Sequence, residues 1–222
     1  MRRILLLFPL LLLPRGAAAA ANEQLVVDVW CQLEPMHQES DAYPLNPDEA
    51  RRRILEEARG ILSAMLYGFQ FVYTPADARR KTSEQFLLSP VAEIRWGDRR
   101  MRVAEAELRE GRLCAKVLYD LQDFQSARRR AWQSNTIPTA AGSGACSLFT
   151  APEPEGKRGS FDEALKDALR NHLRPLVFNK PREVRGELLL WKPPQVLIDS
   201  GAYLTRAVIK LQVKEIRPYS LF

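Results

Sequence analysis

Residue types able to do covalent or metal chemistry are few in this chain and widely spaced. There are two histidines, His37 and His172, and three cysteines, Cys31, Cys114 and Cys146. A serine hydrolase needs a serine, a base and an orienting acid, and no G-x-S-x-G elbow is present. His37 lies in a proline-rich stretch and His172 on a charged stretch with helical spacing, so both read as ordinary solvated imidazoles. A Cys146–His172 pair would make a thiol nucleophile, but no local signature accompanies it. Metal ligation lacks H-E-x-x-H, a closely spaced cysteine pair and a D-x-D-x-D-G run. Neither a metal nor a cofactor is expected.

Carboxylates and glycines offer two further constellations. Asp120 and Asp123 would suit a glycosidase only if they faced each other across a cleft; their spacing reads as turn acids. Gly142-Ser143-Gly144 could build an anion-binding nest, yet no G-K-[ST] follows, and the tripeptide reads as flexible linker. The densest basic–aromatic cluster is Arg128, Arg129 and Arg130 with Trp132. Interleaved cations and rings suit a polyanion or an acidic partner, so these four are the candidate partner-binding residues.

The compartment argues against nucleic acid. Arg2 and Arg3 precede an apolar run from Ile4 to Leu13, and Ala17 to Ala21 supply small residues for cleavage. Residues 1–21 therefore read as a secretory signal peptide, and the apolar run falls well short of the about 20 residues a membrane span needs. Removing them takes away Arg2, Arg3 and Arg15 and no acid, which halves the net charge from +6 to +3. No later segment approaches transmembrane length. A periplasmic or secreted location follows, with either one disulfide and a spare thiol or three free thiols among Cys31, Cys114 and Cys146.

The elements that must position these residues are legible in part. Leu25 to Trp30 reads as a strand. Asn46, Pro47, Asp48 and Glu49 start a helix, whose apolar stripe is Ile54, Ala58, Ile61, Leu62 and Met65, and Gly68 ends it. Gly60 inside that helix costs about 1 kcal/mol relative to Ala, and close packing on a sheet is the expected compensation. Phe69 to Thr74 is a strand. A β-meander is expected from about Val91 to Leu121, with turns at Gly97-Asp98 and Glu110-Gly111. Its middle strand needs a bulge, because the apolar set changes phase between Val103 and Ala104. Residues 125–159 lack periodicity and read as a long mobile loop. Ser160-Phe161-Asp162-Glu163 reads as a capping box opening a second helix, which Pro175 closes. The chain then returns to strands, the last with Lys210, Gln212 and Lys214 on a wet face. The expected architecture for 22–222 is a single α+β domain: antiparallel sheet with two main amphipathic helices packed on one face.

Two stretches carry a family resemblance. Ser63 to Pro75 (SAMLYGFQFVYTP) and Asn179 to Leu190 (NKPREVRGELLL) resemble uncharacterised exported envelope proteins of spirochaetes. Glu49-Ala50-Arg51 and Glu57-Ala58-Arg59 are loosely similar to periplasmic modules of the flagellar-assembly and LPP20 lipoprotein type, although Val29-Trp30-Cys31 is no lipidation box. No catalytic residue carries over from either. Good core periodicity without a catalytic set points to an exported, non-catalytic scaffold or binding module for an envelope protein or an anionic envelope component. The alternative is a cell-envelope hydrolase acting on peptidoglycan or peptide through Asp120 and Asp123 or Cys146.

Overall fold

A computed structural model describes residues 23–35, 43–175 and 181–219. The expected signal peptide at 1–21 and His37 lie outside them. The order is β1 (Gln24–Gln32), α1 (Pro47–Leu66), β2 (Phe69–Thr74), β3 (Gln85–Pro90), β4 (Met101–Arg109), β5 (Arg112–Asp120), α2 (Asp123–Trp132), β6 (Thr139–Ser147), α3 (Glu155–Leu173), β7 (Glu183–Leu190), β8 (Gln195–Asp199) and β9 (Ala202–Arg217). The fold is α+β, with two antiparallel sheets. The first runs β1-β5-β4. The second runs β3-β2-β7-β9-β6, with β8 also paired to β9.

Local chemistry explains the elements that were legible. The Asn46 side chain accepts from the Glu49 N–H at 2.8 Å and caps α1. At the other end Gly68 takes φ +70° and donates its N–H to the Ser63 carbonyl. The predicted stripe of α1 is buried to the last residue. It packs on β1 and β5 of the first sheet and on β7 of the second. Glu110-Gly111 and Ser200-Gly201 both have positive φ at two successive residues, the geometry of tight hairpin turns. They close β4–β5 and β8–β9. The anticipated bulge is at Ala104, where pairing with β5 slips between Val103 and Glu105. β7 and β8 lie along one edge of β9, facing its residues 209–217 and 202–206, and Pro193-Pro194 interrupts them.

Several expectations need correction. Residues 91–100 contain no strand, so Gly97-Asp98 turns the chain into β4 rather than between two strands; Ile94 there is a buried plug whose N–H donates to Ser63 Oγ at 2.9 Å. Residues 125–159 are not a long loop: they hold most of α2, all of β6 and the start of α3. Ser160 is no cap, because α3 begins at Glu155; its buried hydroxyl meets Thr205 Oγ1 at 2.7 Å and the Lys157 carbonyl. Lys210 is not on a wet face. It is 5% exposed, donates to the Ser134 carbonyl at 2.9 Å and lies 4.8 Å from the Trp191 ring centroid.

The glycines show how α3 is seated. A Cβ on Gly142 would fall 2.2 Å from the Ala168 nitrogen, and one on Gly144 2.2 Å from the Ser160 carbonyl oxygen. The backbones of β6 and α3 touch, with Ser160, Ala164 and Ala168 on the helix side. Gly142-Ser143-Gly144 is therefore a strand with its side chains pared away, not a linker. Gly60 is the opposite case. Its Cβ would meet open space, so the expected sheet contact does not exist there.

The two glycine types respond oppositely to one added methyl. Gly144→Ala should destabilise the fold by about 3 kcal/mol through overpacking. Gly60→Ala should stabilise it by about 1 kcal/mol through helix propensity. Urea unfolding of both variants beside the parent chain measures the pair.

Candidate functional site

The most concentrated set of buried ionisable groups lies where β1, α1 and the first turn of α3 meet. Lys157 is 5% exposed, and its Nζ lies 2.8 Å from Glu153 Oε1 and 2.9 Å from Glu57 Oε2. It also donates to the Trp30 carbonyl. Three acceptors thus match the three N–H bonds of an ammonium. Glu153 accepts the Gln32 N–H on its other oxygen at 2.8 Å. The Lys157 ammonium sits 3.6 Å from the Trp30 ring centroid, and the Arg112 guanidinium 4.7 Å from it. The Trp30 indole N–H donates to the Val196 carbonyl of β8 at 3.2 Å.

The neighbouring thiol and hydroxyls are held neutral. Burial, and then the Glu153 charge, push the Cys31 thiol up to about 12. The same two causes raise the Tyr43 and Tyr203 hydroxyls. Burial raises the Glu57 carboxyl against the pull of Lys157. A thiol so placed is a poor nucleophile. The cluster joins elements through fixed charge, and all the N–H bonds of its one ammonium are already engaged.

The structure spreads out the residues singled out from sequence. Arg128 donates to the Leu66 carbonyl at 3.3 Å and the Tyr67 carbonyl at 2.9 Å, and Arg129 to the Met65 carbonyl at 3.3 Å. These two cations close the C-terminal end of α1, where free carbonyls and the helix dipole favour positive charge. Trp132 is buried with Ile137 and Leu189. Arg130 alone of the four is exposed, and the other three are engaged within the fold. Cys31, Cys114 and Cys146 are all free thiols. Cys146 faces Gly159 across the β6–α3 contact. His172 is 13 residues further along the same helix, about 20 Å away, so the two cannot pair. Asp120 accepts from Gln24 at 2.6 Å and faces Arg102 at 3.6 Å, while Asp123 is exposed in the first turn of α2. Among the described residues, no group of three or more His, Cys, Asp and Glu is placed to hold a metal ion, and no helix is long and apolar enough to cross a membrane.

Sequence reasoning missed the triad. The one usable signal was Glu153 and Lys157 four residues apart, the spacing of a helical ion pair, but Pro152 and Pro154 made that stretch read as loop. Glu57 is about a hundred residues earlier, and nothing local connects it to Lys157.

Comparison with known proteins agrees with the resemblance at its coarser level. A protein-family model matches residues 13–219, nearly the whole chain, and the chain belongs to that family. It is similar to an uncharacterised protein of Treponema pallidum (strain Nichols), 24% identical over 200 residues that cover 88% of this chain and 82% of the other. No solved structure matches.

Removing the ammonium strands the buried Glu153 carboxylate and the half-buried Glu57 carboxylate. Lys157→Met should cost about 3–5 kcal/mol at pH 7. Burial already raises the Glu57 carboxyl and the opposing pull of Lys157 is then gone, so the deficit relative to the parent chain should shrink as the pH falls to about 5. Urea titrations at the two pH values test this. The parent chain carries an opposite dependence. The Arg170 guanidinium holds Glu84, and the Arg100 guanidinium holds Asp98, at about 2. Stability from these pairs is present above the ordinary values of 4.5 and 3.8 and is lost as the pH falls toward 2. Glu84→Gln should flatten that acid limb.

Proposed function

We propose that the protein is an exported, non-catalytic component of the cell envelope, a scaffold that docks a protein strand along β4. The leader-like sequence of residues 1–21 supports export, and the looser similarity to flagellar-assembly and LPP20-type modules points the same way. The carrying observation is the exposure of β4. This strand closes one side of the first sheet, and eight of its nine residues are exposed. Met101, Val103, Ala106 and Leu108 share the face that α1 covers over β1 and β5, yet Val103 is 45% and Leu108 70% exposed. A long strand edge bordered by uncovered apolar side chains is a template for adding a strand. Arg102, Glu105, Glu107 and Arg109 mix both signs along it, which suits a protein partner better than an anionic surface. The buried triad serves this reading by holding the first sheet rigidly against the rest.

A photo-reactive residue placed at position 108 in intact cells should yield a cross-linked protein adduct, and one at exposed Glu163 on α3 should not. Absence of any adduct from position 108 overturns the reading.

A further inference from the structure

We infer that the occupant of the β4 edge is a second copy of this chain, paired antiparallel about a two-fold axis between Ala104 and Glu105. This rests on the reading of β4 as the docking edge.

Backbone direction carries the inference. In an antiparallel ladder, residues alternate between those whose N–H and C=O point at the neighbouring strand and those whose groups point away. On β1, the Trp30 carbonyl and the Gln32 N–H meet Lys157 and Glu153, so both residues point away from β5. Their register partners on β5, Cys114 and Arg112, point away from β1 and hence toward β4. The Asp120 N–H, of the same parity, does bond the Arg100 carbonyl at 3.2 Å. Carried through the β4–β5 register, this turns Arg102, Glu105 and Glu107 inward to β5. Val103, Ala106 and Leu108 then direct their N–H and C=O groups to the outer edge, and Met101 directs its carbonyl there, while its N–H bonds the Asp98 carbonyl at 3.0 Å. These are also the residues whose side chains lie on the core-side face, opposite Tyr119, Val117, Ala115 and Leu113.

A two-fold axis between Ala104 and Glu105 sets Met101 against Leu108 and Val103 against Ala106. Val103 and Ala106 then exchange both backbone bonds, the Leu108 N–H meets the Met101 carbonyl, and apolar side chains meet apolar ones on the core side. On the opposite face Arg102 meets Glu107 of the other copy. Arg100 and Arg109 come together at the ends, each already paired within its own chain, to Asp98 and Glu107 at 2.6 Å. The bulge at Ala104 makes this possible. Without the extra residue, Met101 and Leu108 would have opposite parity, and no register centred there would match both backbone and faces. The self-complementarity is that of an isologous contact. It extends the first sheet across both copies, with the two bulges facing each other at the axis.

Sedimentation velocity on the purified full chain at about 100 μM should show a dimer. Arg102→Glu and Glu107→Arg each place like charges across the axis twice, and each should raise the dissociation constant about tenfold. An equimolar mixture of the two variants should regain the parent affinity, because opposite charges then face each other at both positions; this recovery also shows that both variants are folded. A parent chain that stays monomeric, or a mixture as weak as either variant alone, overturns the inference. If the parent chain is monomeric while the position-108 adduct in cells contains a different protein, the docking edge stands and the second copy falls. If position 108 captures nothing, the docking edge falls as well.

Discussion

Lys157 and Glu153 do the work of a strand at the outer edge of β1. A sheet edge presents a C=O and an N–H that would otherwise need another chain; here an ammonium takes the Trp30 carbonyl and a carboxylate takes the Gln32 N–H. The same two side chains bond each other, and Lys157 also reaches Glu57 on α1. One ion cluster therefore caps the Trp30–Gln32 end of the outer edge of β1 and ties the first sheet to α1 and α3. The exposure of β4 on the opposite side of the same sheet stands in contrast: one edge is capped at its Trp30–Gln32 end, and among the described residues no strand pairs with the other.

Around that clamp the structure depends on where side-chain volume is withheld. The contact of β6 with α3 exists because Gly142, Gly144, Ala164 and Ala168 leave nothing between two backbones. Large residues sit elsewhere, with Phe71 and Leu188 filling the space under β2 and β7, and with Leu62, Leu66, Leu165 and Leu169 buried along the helices. Tight backbone approach gives dense packing without large apolar residues. The cations that looked like a binding patch serve the same economy of closure, since Arg128 and Arg129 satisfy the carbonyls at the end of α1.

Legibility followed the physics of each element. α1, β2 and the hairpin at Glu110-Gly111 were readable because burial on one face imposes a period and tight turns impose residue types. The bulge at Ala104 was readable for the same reason, as a break in the period. α2 was hidden because the residues it buries include Gln125 and Ser126, so it shows little apolar periodicity. β6 was hidden because the strand TAAGSGACS lacks the branched and aromatic residues that mark strands. The start of α3 was hidden because it buries a lysine and a glycine where a helix normally buries carbon.

The amino-acid order alone determined the α+β class, the two principal helices and the turn positions, since periodicity, caps and positive-φ residues act over a few neighbours. It also carried the spirochaete-type resemblance. Only the tertiary structure decided that Glu57, Glu153 and Lys157 form one cluster, that the glycine tripeptide is a helix seat, and that β4 is the open edge. Those outcomes rest on contacts between residues up to about a hundred positions apart, and on which strand ends up outermost. No local pattern encodes either, because both depend on how the elements stack.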